Sequence, residues 1–231
     1  MKSIIFDAGP IISLTTNNLL GLLVNLKQGY KGSFFLSEAV KREVVDTPLE
    51  KTLRFKFEAL QVLRCIEKGF LEVVDNDRLR QKTLELLDIA NQCFKAHGNY
   101  IRIVHYAEMS SLALALLLGS EAFVVDERTT RLLIENPRRL VEVLQNKLHT
   151  KIETSEENLR KFQSFAKAVK IIRSVELVTI AYEKGILNKY ILHIPNAKQT
   201  LLESILWGVK LNGCAVSEKE IKQIMKLERK S

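Results

Sequence analysis

The stretch that most constrains this chain is residues 107–131, AEMSSLALALLLGSEAFVVDERTTR. Residues 112–118 are apolar at every position, so a helix built from them is greasy nearly all round and has to be buried. Gly119 and Ser120 stop that helix. Residues 122–125 then read as a short core strand, because a continuous apolar run suits a sheet covered on both faces. The unit carries Glu108 near the helix start and Asp126 at the carboxyl end of the strand, where open α/β sheets carry their sites.

The chain before it has the same character. Residues 3–6 form a β-branched run that ends in Asp7, and Ala8-Gly9-Pro10 opens a helix expected over 11–26. Strand, acid, tight turn and helix make the opening unit of an α/β sheet. Residues 32–36 read as the next strand, with Ser37 capping the helix SEAVKREVVD that carries Glu43. Thr47-Pro48 punctuates, and further helices are expected over 49–68 and 77–96 with a strand at 70–74 between them. Beyond Asp126 the pattern stays helical, with restarts at Asn136-Pro137 and Thr154-Ser155. Helices over 174–184, 197–210 and 217–230 close the chain. With no linker, repeat or low-complexity tract, the 231 residues read as one domain, having a helical insertion at about 132–173 and a helical C-terminal part at 174–231.

Charge bears on the partner. A formal net charge of +8 favours an acidic partner, and nucleic acid is the commonest one. Cys65, Cys93 and Cys214 form no CxxC pair, which speaks against a zinc ribbon or a disulfide framework and fits a reducing cytoplasm. No basic, apolar leader follows Met1, and no apolar run is long enough to span a bilayer, so no membrane is expected. Phosphate-binding glycine loops and GxSxG nucleophile blocks are absent.

Four carboxylates stand out by position: Asp7, Glu43, Glu108 and Asp126. Strand ends of a parallel sheet converge on one rim, so all four could line one pocket. Mutual repulsion would then oppose full ionisation unless cations were present. Clustered oxygen ligands favour Mg²⁺ or Mn²⁺, which can activate water and stabilise in-line displacement at phosphorus. Each acid also has an ordinary role open to it: Asp7 as a turn former, Glu43 as a surface helix residue, Glu108 as a helix-start acid and Asp126 as an N-cap. His105, three residues before Glu108, is a weaker candidate ligand. Arg128 and Arg131 could hold a phosphate of RNA or could pair with Glu127 and Glu135. The basic C-terminal residues Lys219, Lys222, Lys226, Arg229 and Lys230 read more simply as a solvated helix face, and Trp207 as a packing residue.

The blocks IIFDAGPIISL, SEAVKREVV, AEMSSLALALLLGSEAFVVDERTTR and VELVTIAYEKGIL together resemble the successive blocks of a PIN-domain protein of the larger prokaryotic type. That resemblance implies a three-layer α/β/α fold around a parallel sheet and an Mg²⁺- or Mn²⁺-dependent endoribonuclease. In it, Asp7, Glu43, Glu108 and Asp126 match the acidic metal-binding positions. The chain departs from the family pattern at Ala8-Gly9, where Ser or Thr often follows the aspartate, and at Ala107, where glycine often precedes the third acid. The resemblance implies RNA as partner and leaves open a small antitoxin, an RNA-processing partner or a homodimer. Two other readings stay open: a non-catalytic RNA-binding or assembly protein that kept the architecture, and a nuclease acting on DNA, because nothing in the chain reads the 2′-hydroxyl.

Overall fold

In a computed structural model, which describes residues 2–228, a five-stranded parallel sheet is covered by helices on both faces, a three-layer α/β/α arrangement. Strand β1 (Ser3–Phe6) leads to α1 (Ala8–Thr16) and α2 (Leu22–Tyr30). Strand β2 (Ser33–Ser37) leads to α3 (Glu38–Lys41), a π-turn (Arg42–Asp46) and α4 (Thr47–Lys51), then α5 (Lys56–Glu67) and β3 (Glu72–Val74). Helix α6 (Asp77–Asn91), the short strands β4 (Phe94–Ala96) and β5 (Asn99–Tyr100), and α7 (Tyr106–Leu118) precede β6 (Ala122–Val124). Next come α8 (Arg128–Glu135), α9 (Pro137–Leu148), β7 (Ile152–Thr154), α10 (Glu156–Ala166) and β8 (Ile171–Ile172). Helices α11 (Ser174–Glu183), α12 (Ala197–Leu211) and α13 (Glu218–Glu228) complete the described chain.

The sheet order is β3-β2-β1-β6-β8. The chain builds outward from β1 in one direction through β2, then in the other through β6, so β1 and β6 flank the switch point where such sheets open a crevice. Alternation along the strands sorts side chains into two cores. Phe6, Phe34, Leu36 and Val124 enter the core formed with α1, α5, α11 and α12. Ile5, Phe35, Phe123 and Val125 enter the core formed with α6, α7, α9 and α10. Helix α7 is the apolar helix expected from sequence. Every residue from Met109 to Ala115 is buried, but the last turn of the run expected to be buried is not: Leu116 and Leu117 are half-buried and Leu118 is exposed before Gly119 ends the helix at φ +57°.

Several local expectations are corrected. The helix expected over 11–26 is two helices, because Asn18 takes a left-handed conformation after the Thr15 and Thr16 hydroxyls turn back onto the carbonyls of Ile11 and Ile12. The punctuation expected at Thr47-Pro48 is no break. Pro48 lacks an N–H for the Val44 carbonyl and its ring crowds that carbonyl, and the preceding turn widens into the π-turn that carries Glu43. The helix expected over 49–68 is interrupted instead at 52–55, where Thr52 is extended and Phe55 is left-handed (φ +64°).

The helix expected over 77–96 ends at Asn91. Residues 94–96 form β4, which joins β5 through His97 (φ +51°) and Gly98 (φ +77°), a two-residue turn with both φ values positive as type I′ requires. The segment 132–173, expected to be all helical, contributes β7 to that small antiparallel sheet and β8 to the edge of the main one. The last helix, expected to reach residue 230, is described to Glu228; Arg229 and Lys230 lie outside the described residues. No helix among the described residues is long and apolar enough to cross a membrane.

Candidate active site

Three of the four expected acids meet at the carboxyl rim of the sheet. A cavity of about 320 Å³ is lined by Asp7, Glu43 and Glu108, together with Gly9, His105 and Glu127. Asp7 directly follows β1, and its N–H donates to the Val124 carbonyl at 2.9 Å, which ties the end of β1 to β6. Its side chain is 4% exposed and accepts a bond from the Ser111 hydroxyl of α7 at 3.3 Å. Glu43 is brought to the rim by the π-turn, a widening that recurs at functional positions in helices. Glu108 sits in the first turn of α7. One of its oxygens accepts from the His105 N–H at 3.0 Å and from the Thr130 hydroxyl at 3.1 Å, so α7 and α8 are joined through this carboxylate.

The electrostatics are those of a crowded acidic site. Burial, then the charge of Glu108 and that of Glu43, push the Asp7 carboxyl from its ordinary 3.8 up to about 7. Burial likewise raises Glu43, with His105 acting in the opposite direction. Glu108 is raised by burial and by Glu127, against the His105 N–H and the Thr130 hydroxyl, which favour its ionised form. At neutral pH the cluster therefore resists carrying its full negative charge.

Asp126 is elsewhere. It follows Val125, so strand alternation turns it toward the face occupied by Val124, away from the Asp7 and Ser111 side. There its carboxylate accepts from the Ser174 N–H at 2.7 Å and from the Ser174 hydroxyl, at the start of α11. The Asp126 carbonyl accepts from the Ala215 N–H at 3.2 Å, and Arg173 holds the Ala215 carbonyl at 3.0 Å and Glu220 at 2.9 Å. Burial raises the Asp126 carboxyl, while Ser174 and the Cys214 thiol hold it down. The residue lies just behind the pocket floor: a Cβ placed on Gly9 would be 3.4 Å from the Asp126 Cβ. It does not line the pocket.

The acid that enters the pocket from this segment is Glu127, which the sequence reading treated only as a partner for Arg128 or Arg131. Glu127 is also the N-cap of α8, accepting from the Thr130 N–H at 2.6 Å. The strand parity that carries Asp126 to one face and its neighbour to the other is the signal that could have found it. Arg131 pairs with Glu135 at 3.3 Å, and its Nε is buried with no hydrogen-bond partner. Arg128 is exposed, and neither arginine lines the pocket. His105 lines it, as an exposed neighbour of Glu43 and Glu108.

The donor set is made of hard oxygens, and the raised Asp7 is the mark of a site that a cation would relieve, so the residues fit Mg²⁺ or Mn²⁺. The side chains are not drawn into a ligand shell: among the described residues no three His, Cys, Asp or Glu side chains already form a metal-holding group. The chain matches no protein-family model, no curated protein and no solved structure.

Proposed function

We propose that this chain is a PIN-like endoribonuclease dependent on Mg²⁺ or Mn²⁺, with Asp7, Glu43, Glu108 and Glu127 as its acidic set and Asp126 as the residue that positions the floor behind them. The observation that carries this reading is the burial of Asp7 among two further carboxylates at the β1–β6 switch point, with its carboxyl raised to about 7. The Ser111 hydroxyl and the Ala8 N–H donate to Asp7, but the charges that bear on it are those of two carboxylates, which a cation would offset. Asp7, Glu43 and Glu108 would hold a divalent ion, whose Lewis acidity would serve phosphodiester hydrolysis. Ser111 orients Asp7, while Thr130 and the His105 N–H orient Glu108, so the oxygens are held in place before substrate arrives. RNA is the substrate we infer from the net charge of +8 and the resemblance. The three free cysteines suit action in a reducing cytoplasm.

A non-catalytic RNA-binding or assembly protein with the same architecture is the second reading. Cleavage of tRNA, rRNA fragments and single-stranded DNA, with Mn²⁺ or with EDTA, decides between them. The proposal expects RNA cleavage that disappears with EDTA and in a folded Asp7→Asn variant. Cleavage indifferent to both would overturn the acid mechanism, and stoichiometric RNA binding without cleavage would favour the second reading.

A further inference from the structure

Two more depressions border the acid pocket, and all three share Glu43. One, of about 460 Å³, runs between α3, α6 and α7 past Arg42, Arg80 and Tyr106. The other, of about 70 Å³, lies between α1, the π-turn and α5 and is walled by Phe55. Helices α6 and α7 line the first from one face of the sheet, α1 and α5 line the second from the other, and the segment of α3 and the π-turn that carries Glu43 borders both.

Beside the smaller depression, residues 51–57 form an unbroken exposed run. Phe55 is 50% exposed and Phe57 70%, while Tyr106 on the other side is 37% exposed. Lys51, Arg54 and Lys56 alternate with these apolar residues and engage in no ion pair among the described residues. Phe55 keeps a left-handed backbone at φ +64°, costly for a bulky residue, at the residue before the helix.

We propose that Phe55 and Phe57 stack unpaired bases of an RNA strand whose backbone passes Arg54 and Lys56, crosses the acid pocket at Glu43 and leaves past Tyr106. This rests on the ribonuclease reading and gives it a substrate form: a strand with splayed bases rather than a duplex. Alternating aromatic and cationic residues suit a polyanion with π-faces. A protein partner fits less well, since lysine is depleted at the centre of protein interfaces and exposed Lys56 lies between Phe55 and Phe57 in the chain. Leu53 and Leu60, also exposed, border the stacking pair.

The test is fluorescence anisotropy with a labelled 12-nucleotide single strand and the matching RNA duplex, in EDTA so that nothing is cut. A second strand carries 2-aminopurine, whose quenching reports stacking. Phe57→Ala combined with Phe55→Asn removes both rings, asparagine being tolerant of the left-handed backbone; Phe57→Trp restores one, and thermal melting confirms folding. We expect the wild type to prefer the single strand and quench 2-aminopurine. The double variant should bind at least about tenfold more weakly without quenching, and the tryptophan variant should retain both properties.

Equal single-strand affinity in the folded double variant, a preference for duplex, or no RNA binding by the wild type would each overturn the proposal. So would a double variant that binds RNA normally but sediments as a monomer where the wild type is a dimer, which would make the patch a contact between copies. The two readings fail separately. Ring-dependent binding without Mn²⁺-dependent cleavage would leave the track standing and remove the nuclease, while ring-independent binding with cleavage would do the reverse.

Discussion

Asp7 and Asp126 make an instructive pair. Both follow neighbouring parallel strands, both are buried, and both carboxyls are raised above their ordinary range. Asp126 has a backbone N–H and a hydroxyl from Ser174 and ties β6 to α11 and to the segment before α13. Asp7 accepts from the Ser111 hydroxyl and the Ala8 N–H and has two carboxylates, Glu108 and Glu43, for company. The first environment is saturated with donors, and removing the acid would leave buried donors stranded. The second lacks positive charge, and removing the acid would relieve repulsion. On the proposed reading, aspartates at neighbouring strand ends serve stability in one case and ligand binding in the other; the two carboxylates whose charge bears on Asp7 distinguish the two.

The sharpest way to break this comparison is to alter each acid in turn. Asp7→Asn is expected to lower cleavage by at least about a hundredfold while making the fold more stable at and above neutral pH, because the amide removes a strained charge. Asp126→Ala is expected to cost about 3 kcal/mol of stability by orphaning the Ser174 N–H and hydroxyl, measured by urea unfolding. The reverse pattern would exchange the roles assigned to them.

The next effect is on pH. The folded chain keeps a proton on Asp7 between 3.8 and about 7 that the unfolded chain has released. Stability should therefore fall as pH rises through that window, by an amount on the order of 4 kcal/mol at full ionisation. In Asp7→Asn this contribution should vanish, so the stability curves of the two proteins should converge at acid pH and separate above neutrality. Parallel curves would deny that Asp7 is strained. Cation should relieve the same strain: at pH 8, saturating Mn²⁺ is expected to raise the wild-type melting temperature by about 5 °C. The smallest effect expected is that of Ser174→Ala, about 1 kcal/mol of stability with cleavage unchanged.

Much of this arrangement is legible before any coordinates. The unbroken apolar run ending at Gly119 marks a helix that is buried up to Ala115, though its last turn reaches the surface at Leu118, and Asp7 after a β-branched run followed by Ala-Gly-Pro marks a strand end and a helix start. Ser37 was likewise legible as a cap, and it accepts from the Val40 N–H at 3.3 Å. What was hidden depended on partners distant in sequence or on very short elements. Ile171–Ile172 is a strand only because Phe123 and Val124 lie beside it, and two residues carry no periodicity. The π-turn arises from Pro48 inside a helix that local pattern would end there. The exchange of Asp126 for Glu127 in the pocket turns on strand parity, since adjacent residues face opposite sides of a sheet. A resemblance by motif cannot by itself resolve that.

Calorimetric titration of Mn²⁺ into the wild type, Asp7→Asn and Asp126→Asn at pH 7.5 tests the central claim most directly, with melting curves confirming that each protein is folded. The account predicts stoichiometric binding to the wild type, none to Asp7→Asn, and retained stoichiometry in Asp126→Asn, whose amide oxygen can still accept the Ser174 N–H. Binding that survives the loss of Asp7 but not of Asp126, or a wild type that takes up no metal, would contradict it.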